Sequence, residues 1–432
     1  MNVARRGRRL ARVGTIALPL ALLFGWAHPG AAYSVLSHEA IIDSAWDTGI
    51  RPLLLRRFPQ STPQQLKEAH GYAYGGSIIQ DMGYYPHGSI FFSDLTHYVR
   101  SGDFVMALLR DAEDLDGYAF ALGALAHYAA DDDGHRIATN RVVPMLYPRL
   151  KKKYGDIVTY EENPLAHAKT EFSFDVLEVA KGNYAPESYH DFIGFGVAAP
   201  LLGEAFRQTY GLPLQAVLPR EEEALESYRW DVSKLIPAAT RVAWSMKRDD
   251  IARSQPGVTR KKFLYNISRS SYRRDWGRHY RRPSLADRFL GLLMRIVPKV
   301  GPLRVFELQM PTPEAERLFE SSFDDILHRY RELLQQAGAG RLNLQNENFD
   351  LGAQSEPGIY RLSDRTHAKL LNNLAERSFR GLSPGLKDDL LAYYSHPGVR
   401  YAASLRPGEW AKTQADLAGL QKAPVSSGAP SE

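Results

Sequence analysis

Residues 120–135, FALGALAHYAADDDGH, constrain the fold of this chain more than any other stretch. Ala, Leu and Phe surround every turn as far as Ala130 and leave no polar face, so the stretch reads as a helix buried on all sides, around which other elements must pack. His127, Asp131 and His135 follow one another at intervals of four. Each interval turns a helix by about 400° and climbs roughly 6 Å, so the three side chains keep to one face with about 40° of drift. An ionised carboxylate inside an apolar wall costs several kcal/mol unless it is paired or bound to a metal. Asp131, set between two imidazoles, therefore calls for partners, because a single buried histidine is more often structural.

The rest of the chain offers such partners. In YSVLSHEAIIDSAWDTGI, Ser37 is placed to cap a helix with Ala40, Ile41, Ala45 and Trp46 on one face, and His38 stands at its start. Ser61-Thr62-Pro63 opens a second helix, expected to run toward Tyr74 and break at Gly75-Gly76. Asp81 then leaves an apolar run at a turn rich in Gly and Pro, and FFSDLTHYVR carries His97 one turn after Asp94. Beyond His135 a polar stretch is expected, with Lys151 to Lys153 as a solvated face. The segment NPLAHAKTEFSFDVLEVAKG gives a helix with His167, Glu171 and Asp175 on one side, repeating the four-residue spacing.

Past about residue 210 the character changes. Residues 214–235 and 236–251 read as charged amphipathic helices, 253–282 is dense in Arg, Lys and Tyr, and 284–306 alternates apolar residues with basic ones. A strong helix is expected over 313–336, an Asn- and Gly-rich loop over 343–360, and two shorter helices near 364–377 and 384–395. Strand-like alternation is scarce, so the class is mainly α.

The first 32 residues read as an export signal, with five arginines ahead of an apolar run, 13–26, too short to span a bilayer, and Gly30-Ala31-Ala32 for a cut after Ala32. The paired arginines leave the general and twin-arginine routes both open. The chain holds 54 basic and 49 acidic residues; those five arginines account for the excess and leave 49 of each sign. The basic pI thus belongs to the signal and gives no support to a nucleic-acid partner. The chain holds no cysteine, so a metal site must be built from His, Asp, Glu and backbone groups, the ligands suited to catalytic zinc.

The ordered set Tyr33, His38, Asp81, His97, His127, Asp131, His135, His167 and Glu171 resembles the zinc-dependent phospholipase C family. That group also takes in the fungal single-strand zinc nucleases and the catalytic domain of the glycosylphosphatidylinositol-specific phospholipase D. The resemblance covers about residues 33–210, and HYAADDDGH has the spacing of the phospholipase D-like branch. It implies a multi-helix domain holding three zinc ions. Asp81, His97, His127 and Asp131 would hold one, and His135, His167 and Glu171 a second. Tyr33, through its new α-amine and carbonyl, would hold the third with His38 and shared Asp131. Tyr33 stands where the family usually has Trp.

The implied chemistry is phosphodiester hydrolysis by a zinc-bridging hydroxide, with Asp81 as a proton acceptor. Tyr84, Tyr85 and Phe91 are candidates to wall a pocket for a choline-like head group through cation–π contacts. The expected organisation is a signal over 1–32, a catalytic domain over 33–210, a helical region of unassigned role over 211–421 and a disordered tail over 422–432. The leading expectation is an exported phospholipase C-like enzyme, periplasmic or secreted, acting on a phospholipid or other phosphodiester; residues 284–306, broken by Pro298 and Pro302, read first as a core-facing helix, with peripheral membrane contact as the alternative. A single-strand nuclease using 253–282 and a non-catalytic zinc-holding envelope protein are the alternatives. The oligomeric state stays open.

Overall fold

The computed structural model describes residues 35–181, 196–230, 309–395 and 406–425, together with residue 249. Asp114 starts the central helix, Leu115–Gly134, its carboxylate accepting the Gly117 N–H at 2.7 Å. Every residue from Gly117 to Gly134 is buried, as an apolar circumference requires. The helix gives way to a π-helical turn, His135–Thr139, and short helices Asn140–Leu146 and Pro148–Tyr154 follow where a polar stretch was expected. Val142 and Val143 anchor the first of these in the interior, whereas the second buries no residue.

The helix Pro63–Ile78 lies directly along the central helix. Thr62 caps it reciprocally with Gln65, and it runs straight through Gly75-Gly76, where a break was expected. The reason is the neighbour. A Cβ at Gly76 would meet the Phe120 carbonyl oxygen at 1.9 Å, and one at Gly123 would meet that of Ala73 at 2.1 Å. The glycines thus allow two helix backbones to touch, a gain that outweighs their low helix propensity of about 1 kcal/mol each.

The helix Val35–Ala45 is held from another direction. Ser37 lies inside it and does not cap it; the carboxylate of Asp175, on the helix Pro164–Lys181, accepts the Leu36 and Ser37 N–H groups at 3.0 and 3.1 Å and the Ser37 hydroxyl at 2.7 Å. Asp175 therefore ties two helices that both carry candidate ligands. This half also holds a π-helical turn, Trp46–Ile50, a turn of 3-10 helix, Ile79–Tyr84, and the helices Arg51–Arg57, Ile90–Tyr98, Ser101–Asp111 and Ala199–Tyr210. The helix expected over 214–235 is cut in two, Leu214–Val217 and Glu221–Trp230, because Pro219 drives Leu218 out of helical geometry.

The C-terminal half shares this core. The helix Pro313–Gly338 lays Phe319, Ile326, Tyr330 and Leu334 inward, and the Tyr330 hydroxyl donates to the Leu122 carbonyl at 2.9 Å. Arg329 pairs with Asp132, with Asp133 at 3.2 Å and with Glu347 at 3.2 Å. One continuous hydrophobic core joins Val35 to Ala423, including buried leucines of the helices Arg361–Glu376, Pro384–Tyr394 and Pro407–Lys422. Among the described residues the only strands are the two-residue pair Glu347–Asn348 and Ala353–Gln354, and no helix is long and apolar enough to cross a membrane. The export segment, Tyr33, the stretches 253–282 and 284–306, and the tail beyond 425 lie outside the described residues.

Candidate metal centre

Four side chains close on one point beside the central helix. Asp81 comes from the 3-10 turn, His97 from the last turn of Ile90–Tyr98, and His127 and Asp131 from consecutive turns of the central helix. His97 Nε2 lies 3.3 Å from Asp81 Oδ1, 3.2 Å from Asp131 Oδ2 and 3.3 Å from His127 Nε2, which is itself 3.2 Å from Asp131 Oδ2. All four residues are at most 1% exposed.

The hydrogen bonds settle which ring nitrogens carry protons. His97 Nδ1–H donates to the Ser93 carbonyl at 2.8 Å and His127 Nδ1–H to the Ser77 carbonyl at 2.9 Å, since a carbonyl only accepts. With the rings neutral, as metal ligands must be, two Nε2 lone pairs face each other and two carboxylates. Acceptors gathered in a dry interior need a cation between them, and zinc bonds of about 2.1 Å put tetrahedral ligand atoms roughly 3.4 Å apart, close to the spacings seen.

Asp131 reaches a third imidazole. Its other oxygen, Oδ1, is 3.3 Å from His38 Nε2, and the His38 ring stacks on His127 at 4.6 Å. Asp131 can thus bridge two cation positions.

A second gathering surrounds His135. The π-helical turn carries it off the line of His127 and Asp131, toward His167 and Glu171 on the helix Pro164–Lys181. Glu171 Oε1 lies 3.6 Å from His135 Nε2 and 3.5 Å from His167 Nδ1, and His167 Nε2–H donates to the Val158 carbonyl at 2.8 Å. One further residue joins them that sequence reasoning did not single out: Asp350 Oδ1 stands 3.3 Å from His135 Nδ1, and ligand-capable atoms of His135, His167 and Asp350 lie within 4.8 Å of one another. Asp350 sits in the loop expected over 343–360, where no periodic spacing links it to residue 135; the Asn-Gly-rich turn was its one trace.

The electrostatics ask for positive charge. Burial pushes the Asp131 carboxyl up, but His127, His38 and His97 outweigh it and hold the group well below its ordinary range. Burial lowers His97 and His135, yet the facing carboxylates win and raise them to about 10 and about 9. Burial raises the Glu171 carboxyl. Asp81 Oδ1, both Asp131 oxygens, both His135 nitrogens, His167 Nδ1 and both Glu171 oxygens are buried without a hydrogen bond. A divalent cation at each position answers that demand, and the His and carboxylate donors fit zinc.

The aromatic candidates are spread out. The Tyr84 ring lies 6.1 Å from His97 and 5.9 Å from Tyr160, so it adjoins the first position. Tyr85 packs edge-on against Tyr228 at 4.7 Å, and the face of Phe91 holds the Lys369 ammonium at 4.2 Å.

A mainly helical core holding several buried groups of imidazoles and carboxylates is consistent with a metal-binding domain. Residues 37–218 match the family described as zinc dependent phospholipase C, so the resemblance read from the ordered ligands holds over that stretch. The match supports zinc dependence and a phospholipase-like hydrolytic activity for these residues. No curated protein and no solved structure matches the chain.

Proposed function

We propose that this chain is an exported zinc-dependent phosphodiesterase that hydrolyses phospholipid head groups as a phospholipase C does. The observation that carries the reading is the cage of Asp81, His97, His127 and Asp131, built within the matched residues from opposed lone pairs. Three zinc ions are proposed. Asp81, His97, His127 and Asp131 hold the first; His135, His167 and Glu171 the second; His38 and the far oxygen of Asp131, with Tyr33, the third. Zinc bound there supplies Lewis-acid stabilisation of phosphoryl charge and an activated water at neutral pH.

The chain's own residues do the rest. Asp131 couples the positions, Asp81 accepts a proton, and the backbone carbonyls of Ser77, Ser93 and Val158 hold three imidazoles in the ligating tautomer. Tyr84 borders the first position and is the aromatic candidate best placed to meet a head group. Substrate contact with a membrane surface and a periplasmic or secreted location complete the proposal.

Two measurements test it together: metal content of the purified mature protein, and release of phosphorylated head group from phosphatidylcholine vesicles beside release of nucleotides from single-stranded DNA. About three zincs and head-group release support the proposal. Zinc with nucleotide release alone turns it to a nuclease, and no zinc ends it.

A further inference from the structure

Four histidines around the two cages need one ring nitrogen for a metal and must dispose of the other. His97, His127 and His167 do so on backbone carbonyls of Ser93, Ser77 and Val158, all within residues 37–218. His135 has no such carbonyl. Its Nε2 faces Glu171 Oε1, the oxygen that also faces His167 Nδ1, so the metal position lies on that side. Its Nδ1 points the other way, to Asp350 Oδ1 at 3.3 Å, and neither atom has a hydrogen bond elsewhere.

We propose that Asp350 is a positioning residue: its carboxylate takes the Nδ1–H of His135, fixes the tautomer that presents Nε2 to the second zinc, and makes the C-terminal half a necessary part of that site.

The loop is built to hold this carboxylate in place. Asp350 Oδ2 accepts the Tyr360 hydroxyl at 2.6 Å and the Tyr160 N–H at 2.9 Å, leaving Oδ1 for His135. Asn348 Oδ1 accepts the Asp350 N–H at 3.0 Å, Asn140 Nδ2 donates to the Asp350 carbonyl at 2.7 Å, and Gly352 closes the turn at φ +65°, a left-handed conformation that favours glycine. Asp350 is itself fully buried, so its charge is neither screened nor free to wander. A carboxylate behind a ligating imidazole raises the ligand's basicity, and loss of such a partner costs roughly 10–100-fold in metal affinity.

This inference rests on the zinc reading, and the test separates the two failures. Zinc is titrated into metal-free full-length protein against a competing chelator, for wild type, Asp350→Ala, His135→Ala and Tyr360→Phe. Asp350→Ala is expected to keep the wild-type number of zincs at saturation while one of them binds roughly 10–100-fold more weakly. His135→Ala is expected to lose one outright. Tyr360→Phe, which loosens the carboxylate without touching His135, is expected to weaken the same zinc a few-fold, and it carries the test if the alanine variant does not fold. In parallel, 15N spectra of labelled histidine in the metal-free protein are expected to show a His135 Nδ1–H that Asp350→Ala abolishes. Unchanged affinity with an unchanged Nδ1–H overturns the proposal. Loss of a whole zinc from Asp350→Ala also overturns it, by making Asp350 a ligand. No zinc in wild type refutes the metal reading alone, because the spectra still report on Asp350.

Discussion

The two cages differ in how far the chain travels to build them. The first draws Asp81, His97, His127 and Asp131 from neighbouring elements around one helix pair, and its two anchoring carbonyls, Ser77 and Ser93, lie on those same elements. The second takes His135 from a π-helical turn, His167 and Glu171 from a helix thirty residues on, and its last partner from the C-terminal half. The first is packed mainly by local elements, since Gly76 and Gly123 bring two helix backbones into contact beside it, and among the described residues of the C-terminal half Phe349 lies against its His97 and His127 rings. The second depends on tertiary docking through Arg329 and the loop that carries Asp350. A site of the second kind is more easily perturbed from a distance.

Replacing Asp131 should break the comparison most violently, because it serves the first cage with one oxygen and His38 with the other. Asp131→Ala is expected to lower zinc content by about two per chain and phosphodiester hydrolysis at least roughly a thousandfold, several kcal/mol of lost charge stabilisation at tenfold per 1.4 kcal/mol. Loss of a single zinc would show that the two positions are independent.

Stability comes next. Gly76→Ala sets a methyl group against the Phe120 carbonyl, with no flexible side chain to yield, and is expected to cost about 3 kcal/mol in denaturant unfolding. A cost below about 0.5 kcal/mol would mean that the helix pair can separate without loss, contrary to local packing of the first cage.

Acid should strike the C-terminal half. His367, on the helix that follows Tyr360, is buried against the Tyr393 ring at 3.5 Å, and burial pulls its pKa down to about 4 from 6.5. The folded state therefore resists a proton that the unfolded chain takes up. Its contribution is whole above pH 6.5 and is lost as pH falls toward 4, to the extent of about 3 kcal/mol at tenfold per pH unit. His367→Phe should flatten that part of the stability–pH curve relative to wild type; parallel curves would contradict the assignment.

The smallest expected effect tests the docking itself. Arg329→Ala leaves Asp132, Asp133 and Glu347 without their shared cation, at a cost of about 2 kcal/mol for a pair only partly screened by solvent. Chelator competition should show the second zinc loosened more than the first, which Phe349 of the same loop touches only through ring packing on His97 and His127. Equal weakening of both would erase the distinction between the cages.

Much of this site was legible in the residues alone. An apolar circumference compels burial, so the central helix and the shared face of His127 and Asp131 follow from composition and a four-residue spacing, and the His167–Glu171 pair follows in the same way. The helix 313–336 was legible too, because Thr312-Pro313 and a strong amphipathic period are local signals. What failed were readings that took a residue by its propensity. Gly75-Gly76 read as a break until a neighbouring helix made glycine necessary, and residues 140–154, read as a polar stretch, form two short helices of which only the first buries side chains in the interior.

The sequence by itself determined a helical protein, its buried central helix and the chemical kind of its candidate ligands, because periodicity and burial cost act within a few turns. Only the tertiary structure decided that Asp81 and His97 meet His127 on one side, that His135 turns away to His167, and that Asp350 stands behind it. Those contacts depend on where loops bring distant segments, and a carboxylate in a turn carries no mark of the imidazole it will face.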